Sequence, residues 1–233
     1  MKPSLTRLAV GVALLVAAAT AATTASAVSI TVQGTSDPWL AGMPSGSPAS
    51  VNDHAPGQSP LQVTGLGSFS GGYVTFSNVT GGVSYTPSCC GSIEGGGFIS
   101  HTPGAENGIS DVTAPINTLV GVFLDDTQPS LSSAPSALNF TGNLSFASLS
   151  PALRQVFFIG DGQAGSLTQQ FFVPTGATRL FLGTMDGYEW SNNSGAFALD
   201  VNYVTAAVPE PETYAFMLAG LGAMALFSRR RRK

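Results

Sequence analysis

Charge is scarce in this sequence. Only 9% of its 233 residues are Asp, Glu, Lys or Arg, against 43% hydrophobic, so it lacks the charged, apolar-poor composition that keeps a chain disordered. The formal net charge is −4, and five of the nine basic residues are gathered at 229–233, which leaves no basic surface for a nucleic acid to neutralise. Cysteine is almost absent: Cys89 and Cys90 are adjacent, so no Cys-x-x-Cys pair is available for zinc. A strained vicinal disulfide, a bond between chains and free thiols all stay open. The two histidines, His54 and His101, are far apart. No Gly-x-Ser-x-Gly elbow occurs, and between the two ends no window carries the 3.6-residue periodicity of a helix.

What is there begins at the ends. Residues 1–27 carry Lys2 and Arg7, then an apolar run from Leu8 to about Ala19, then small residues ending Ala25-Ser26-Ala27. That order is the order of a secretory signal peptide, removed before the body folds. At the other end, "VPEPETYAFMLAGLGAMALFSRRRRK" sets an uncharged stretch, 213–228, between an acidic Pro-Glu-Pro-Glu segment and the basic run 229–233. As a helix it covers only about 24 Å at ~1.5 Å per residue. The flanking Arg cluster can snorkel and, by the positive-inside rule, fixes that end in the cytoplasm of a membrane-spanning helix.

"VPEP", a short apolar helix and an Arg cluster together resemble the PEP-CTERM sorting signal of Gram-negative bacteria. The resemblance implies recognition of Pro209, Glu210 and Pro211 by a membrane-bound exosortase. It implies export through the inner membrane, transient anchoring, removal of the tail 206–233, and delivery to the cell surface or the exopolysaccharide matrix. Such tails are attached to unrelated bodies, so the body must be read by itself.

The body, 28–205, is long enough for one domain with a substantial core. Its Gly and Pro residues punctuate short runs rich in Val, Phe, Leu and Thr: "VSITVQG", "GGYVTFSNV", "NTLVGVFLD", "RQVFFIGDG", "TQQFFVPTG", "TRLFLGTMDG" and "SGAFALDVNYV". In the last, Phe197, Leu199, Val201 and Tyr203 alternate with Ala196, Ala198, Asp200 and Asn202, the period of a half-buried strand. The fold expected is all-β, an antiparallel β-sandwich or jelly roll. The Pro-, Gly- and Ser-rich segment 37–60 reads as a long surface loop. No internal repeat of fixed period is present, which argues against a solenoid.

One loop carries chemistry. "DGYEWSNNSG" follows an apolar strand, precedes the alternating one, and offers a carboxylate at Asp186 and amide oxygens at Asn192 and Asn193. Calcium takes six to eight hard oxygen ligands, main-chain carbonyls among them, and the Glu189 carbonyl is a candidate. Asp-Gly and Asn-Asn are equally the vocabulary of a plain turn. The spacing is not that of an EF-hand.

The stretch "FFVPTGATRLFLGTMDGYEWSNNSGAFALDV" resembles the C-terminal strands of the PA-I galactophilic lectin family, calcium-dependent β-sandwiches that bind galactose. The resemblance implies calcium held by Asp186, Asn192, Asn193 and the carbonyls of Glu189 and Tyr85, with His101 contacting a sugar. The loop is one residue shorter than the lectin's. Tyr188 and Trp190 are the aromatics available to an apolar sugar face; the alternative for both is a place at the edge of the core. For His101 the alternative is a solvent-facing loop position.

Asp125, Asp126 and Asp161, at strand ends, fit turn formers better than a glycosidase carboxylate pair, and Asp161 is also a candidate additional calcium ligand. The expectation is a non-enzymatic, calcium-binding, carbohydrate-recognising surface protein whose partners are exosortase and an extracellular polysaccharide or galactoside. The alternatives are a structural or adhesive matrix protein without sugar binding, and a polysaccharide hydrolase.

Overall fold

A computed structural model describes residues 25–86, 91–205, 218–224 and 227. Within them the chain is mostly β, with sixteen strands in several sheets. Residues 1–24 of the expected leader 1–27, the pair Cys89 and Cys90, the sorting residues Pro209, Glu210 and Pro211, and the basic run 229–233 lie outside the described residues. Near the C-terminus, residues 218–224 and 227 are helical and exposed. Among the described residues no helix is long and apolar enough to cross a membrane; the span expected over 213–228 falls partly outside them.

Nine strands make the two larger sheets: β1 (Ala25–Gln33), β2 (Leu61–Gln62), β3 (Tyr73–Ser84), β4 (Leu119–Leu124), β5 (Ser148–Leu149), β6 (Val156–Phe158), β7 (Gln170–Phe172), β8 (Arg179–Thr184) and β9 (Ser194–Val204). One sheet runs β1-β9-β3-β7-β5 and the other β6-β4-β8-β2. All seven runs singled out in the sequence lie on these strands. β1 begins three residues before the expected end of the leader, with Ala25, Ser26 and Ala27 paired to Val204, Tyr203 and Asn202.

Burial follows the pattern of each strand. In β9 the odd positions Phe197, Leu199, Val201 and Tyr203 are buried, so one face of the first sheet is apolar and the other wet. β4 and β8 differ: "LVGVFL" is buried at every position and "RLFLGT" at all but the first. A continuous apolar run signals a strand covered on both faces. One covering is the other sheet, where Phe157 of β6 meets Phe171 of β7 with ring centroids 5.3 Å apart. Phe171 in turn meets Phe76 of β3 at 5.2 Å. The other covering is the segment after β1: a Cβ on Gly183 would stand 2.6 Å from Ser36 O and 3.0 Å from Pro38 Cγ.

The segment 37–60 therefore does more than wrap the surface. It contains no long element, as its composition implies, only a 3₁₀ turn at Pro38–Leu40 and a small ribbon pairing Pro48–Ala49 with Asp53–His54. Yet Asp37 through Ala41 are all buried, and Trp39 is one of the largest fully buried side chains.

Candidate functional site

The loop opened by Asp186 connects β8 to β9, and the ends of both strands are held by their neighbours. The β8–β4 ladder closes at Thr184 opposite Leu119. Beyond it, Met185 N donates to Thr118 O at 2.8 Å and Asn117 N donates to Met185 O at 2.7 Å. Two residues on one strand thus oppose one on the other, with Asn117 left-handed at φ 64: a β-bulge, which re-aims a side chain. The β9–β3 ladder ends with Ser194 opposite Ser84. The next residues outward in that register are Asn193 and Tyr85.

Asp186 and Asn193 come together at this corner. Asp186 Oδ1 accepts from Gly187 N at 2.5 Å and Tyr188 N at 3.4 Å, an Asx turn that folds the loop back on its first residue. Burial raises the Asp186 carboxyl above its ordinary range, against the Gly187 N–H and the Asn193 side chain, which favour its ionised form. Asn193 Nδ2 donates to Gly34 O at 3.2 Å, which also accepts from Thr184 Oγ1 at 2.8 Å. Position 34 must be glycine: a Cβ there would stand 2.8 Å from Ser194 O and 3.0 Å from Val83 Cγ1. The Asn193 amide oxygen is left buried without a hydrogen-bond partner, and so is that of Asn117. An unmatched buried acceptor costs about 1–3 kcal/mol.

The remaining expected ligands sit apart. Asn192 is exposed, its Nδ2 3.4 Å from Glu189 Oε2. The other Glu189 oxygen accepts from Asn52 Nδ2 and Ser191 Oγ, both at 3.0 Å, and these bonds hold its carboxyl below the usual range. Tyr85 is exposed. Among the described residues no three His, Cys, Asp or Glu side chains form a metal-holding group; a centre here draws on one carboxylate, amide oxygens and main chain.

Sequence reasoning missed the residue that shapes the loop. Asp53, from the segment 37–60, accepts from Trp190 N at Oδ2 and from Ser191 N at Oδ1, each at 2.8 Å. No local pattern announces a carboxylate that bonds main chain some 137 residues away. Burial, with Glu189 and Asp186 adding repulsion, raises its carboxyl despite those two N–H donors.

Beneath the loop, two of the three expected sugar contacts turn out to be core. Trp190 is fully buried, its Nε1 donating to Thr184 O at 2.8 Å. His101 is 2% exposed, stacked on Trp39 at 3.6 Å and edge-on to Trp190 at 5.7 Å. Neither presents a face to a ligand. Tyr188 remains exposed.

The His101 ring is fixed at both nitrogens. Gly104 O lies 2.7 Å from Nδ1, and a carbonyl only accepts, so Nδ1 carries the proton. Nε2 of the neutral ring then accepts from Ser50 Oγ at 2.9 Å. Burial depresses its pKa to about 4, with the Gly104 carbonyl and Asp111 acting the other way. Ser50 and His101 thus stand at the separation of a nucleophile and its base. The Ser50 N–H, however, donates to Glu106 at 3.1 Å, and a carboxylate there opposes an oxyanion. The arrangement is a clamp on the segment 37–60. Asp125 and Asp161 accept from the N–H groups of Thr127 and Gln163, two residues on, as turn formers do, whereas Asp126 accepts from the Thr178 hydroxyl of a distant segment.

The electrostatics of this corner are one-sided. Asp37 is raised well above the ordinary range by burial, with Asp53, Glu106 and Asp186 as repelling neighbours, and its Oδ2 is also unpartnered. Between 28 and 205 the only Lys or Arg residues are Arg154 and Arg179. Both serve main-chain carbonyls elsewhere, Arg179 those of Asp125 and Thr127, and Arg154 that of Ser133. Buried carboxyls without a protein cation are relieved by taking up a proton, the direction in which Asp37, Asp53 and Asp186 are shifted, or by a bound cation.

A family model described as the PEP-CTERM protein-sorting motif matches residues 207–233. That motif implies processing by an exosortase, export, and sorting to the cell surface or extracellular space. No curated protein and no solved structure matches the chain, and the expected resemblance of the body to the galactophilic lectin family finds no support there.

Proposed function

We propose that this exosortase-sorted extracellular protein is a two-layer β-sandwich that binds one calcium ion at the corner between β8 and β9. What carries the reading is the buried Asn193 side chain, which bonds the desolvated Asp186 carboxyl and keeps an amide oxygen without a partner, in a corner of like charge without Lys or Arg. Asp186 and Asn193 would be side-chain ligands, and Tyr85, next to Asn193 in the strand register, would add its carbonyl. Asn192 and the Glu189 carbonyl complete the set if the exposed loop tip turns inward on binding. Calcium would supply countercharge and tie the loop to the end of β3.

Carbohydrate recognition is the function proposed for that ion: a bound calcium exchanges waters for sugar hydroxyls, and Tyr188 offers the exposed aromatic face. The second reading, a structural or adhesive matrix protein with a stabilising calcium, is favoured by the burial of Trp190 and His101. Neither reading is enzymatic.

Calorimetric titration with calcium, then with galactosides in calcium and in EDTA, tests both. One calcium per chain, lost in Asp186→Ala, is expected; no heat at millimolar calcium overturns the centre. Calcium binding without any galactoside signal removes the lectin reading and leaves the structural one.

A further inference from the structure

We infer that the solvent-facing side of the first sheet is a separate binding surface, along which a neutral polysaccharide chain lies between Asp200 and the Tyr73–Phe172 pair, independently of calcium.

Strand alternation sets the face. With Phe197, Leu199, Val201 and Tyr203 turned inward, Ala198, Asp200, Asn202 and Val204 of β9 turn out. Ser29 of β1 and Ser77 of β3 stand opposite Asp200, and Tyr73 stands opposite Val204. β3 carries a bulge here: Ala198 pairs with Thr80 and Asp200 with Ser77, so Asn78 and Val79 together oppose Leu199. Phe76 and Val79 stay buried while Asn78 is exposed, its backbone left-handed at φ 53. The extra residue therefore adds one amide to the outer face, as bulges that re-aim a side chain do.

That amide is spent on a surface carboxylate. Ser29 Oγ donates to Asp200 Oδ1, and Asn78 Nδ2 donates to Oδ2 at 2.7 Å. Side chains from three strands thus fix one carboxyl group, and the Ser29 and Asn78 donors hold it below the usual range, ionised. Each oxygen keeps a lone pair for a further donor. An open depression of about 370 Å³ lies over it, with Ser29, Asn78, Ala198 and Asp200 in its lining. Four residues along β3 from Ser77, about 13 Å at ~3.3 Å each, Tyr73 meets Phe172 of β7. Their ring centroids are 5.9 Å apart, and Phe172 is 40% exposed.

The chemistry of the face selects its occupant. The five strands of this sheet contain no Lys, Arg or Glu, and Asp200 is their one acid, so a polyanion finds no countercharge. A protein partner wants an apolar centre; here the centre is Ser29, Asp200, Ser77 and Asn78. A fixed carboxylate calls for hydroxyl donors, and the aromatic pair calls for an apolar ring face. A single sugar reaches only one of the two, whereas an uncharged polysaccharide, met in the extracellular space to which the sorting motif directs the protein, reaches both.

The test is affinity electrophoresis of the full chain in gels containing dextran, galactan or soluble β-glucan, run in EDTA. The parent should be retarded by at least one polymer, and retardation by none overturns the assignment. Asp200→Ala and Phe172→Ala should each weaken that retardation at least tenfold, and Tyr188→Ala should leave it unchanged. Retardation that survives both sheet variants, or that appears only when calcium replaces EDTA, overturns the assignment, and the calcium corner is judged separately by its own titration. Should Asp200→Ala fail to fold, Ala198→Arg decides, since it fills the depression and leaves the carboxylate bonds in place. Lost retardation then supports the surface, and parental retardation overturns it.

Discussion

Two polar clusters are buried side by side near the β8–β9 loop, and they are finished differently. In the clamp, Asp53 uses both carboxylate oxygens on main-chain N–H groups, and His101 uses both ring nitrogens. In the corner, Asn193 keeps a buried oxygen without a partner. The first cluster is complete as protein; in the proposed reading a cation would complete the second. Burial alone does not separate them, since all three residues are under 9% exposed. Hydrogen-bond satisfaction does, because a structural network holds its place by leaving nothing unpaired.

The largest effect is expected in the clamp. Trp39 is fully buried, stacked on His101, and donates its Nε1 to Ser110 O at 3.0 Å. Trp39→Ala leaves a cavity, an unpaired Ser110 carbonyl and an uncovered His101 ring, and should destabilise by about 3–5 kcal/mol, read as a lower denaturant midpoint. It should unseat Asp53 as well, so the loop loses order together with the core. A loss near 1 kcal/mol would mean that the segment 37–60 is a surface wrap and the clamp is not part of the core.

The clamp is also where acid should act. His101 is neutral when folded, with its pKa depressed to about 4, whereas the unfolded chain protonates it near the usual ~6.5. Protons therefore favour unfolding: the stability it contributes is whole above pH ~6.5 and is lost as pH falls towards 4, in total about 3 kcal/mol. Around it face Ser50, Glu106 at 3.5 Å, Asp111, Trp39 and Trp190. Asp37 and Asp53, whose folded pKa values are raised, act in the opposite sense, so the difference between parent and His101→Gln isolates the histidine. Denaturant melts from pH 7 to 4 should show the parent losing more stability than His101→Gln; parallel profiles would sink the assignment.

What the sequence disclosed, and what it withheld, divides along the same line. Strand periodicity is a local property, so β9 was legible from Phe197, Leu199, Val201 and Tyr203, and the Asp186 loop from its composition between two apolar runs. The burial of Trp190 and His101 was not, because it depends on Trp39, which arrives from a segment whose Pro, Gly and Ser content reads as surface. Asp53 was invisible for the same reason: its partners are N–H groups, which every residue has.

Removing the proposed ion should affect the corner and spare the clamp. At a calcium concentration a hundredfold above Kd the folded state gains about 2.7 kcal/mol, visible as a rise in Tm that EDTA reverses. Asp186→Ala should abolish that rise, while the acid sensitivity assigned to His101 persists. A calcium-dependent Tm that survives Asp186→Ala would place the ion elsewhere.

The smallest expected change in stability falls at the residue on which the proposed sugar recognition would most depend. Tyr188 is 47% exposed and contributes its main-chain N–H to Asp186, an interaction that alanine retains. Tyr188→Ala should therefore alter unfolding free energy by no more than about 0.5 kcal/mol and leave calcium affinity unchanged. A galactoside signal present in the parent should be lost in this variant, since Trp190 and His101 are too deeply buried to take over its face. If sugar binding persists in Tyr188→Ala at parental strength, recognition does not use the aromatic of this loop, and a hydroxyl-to-calcium contact must carry it alone.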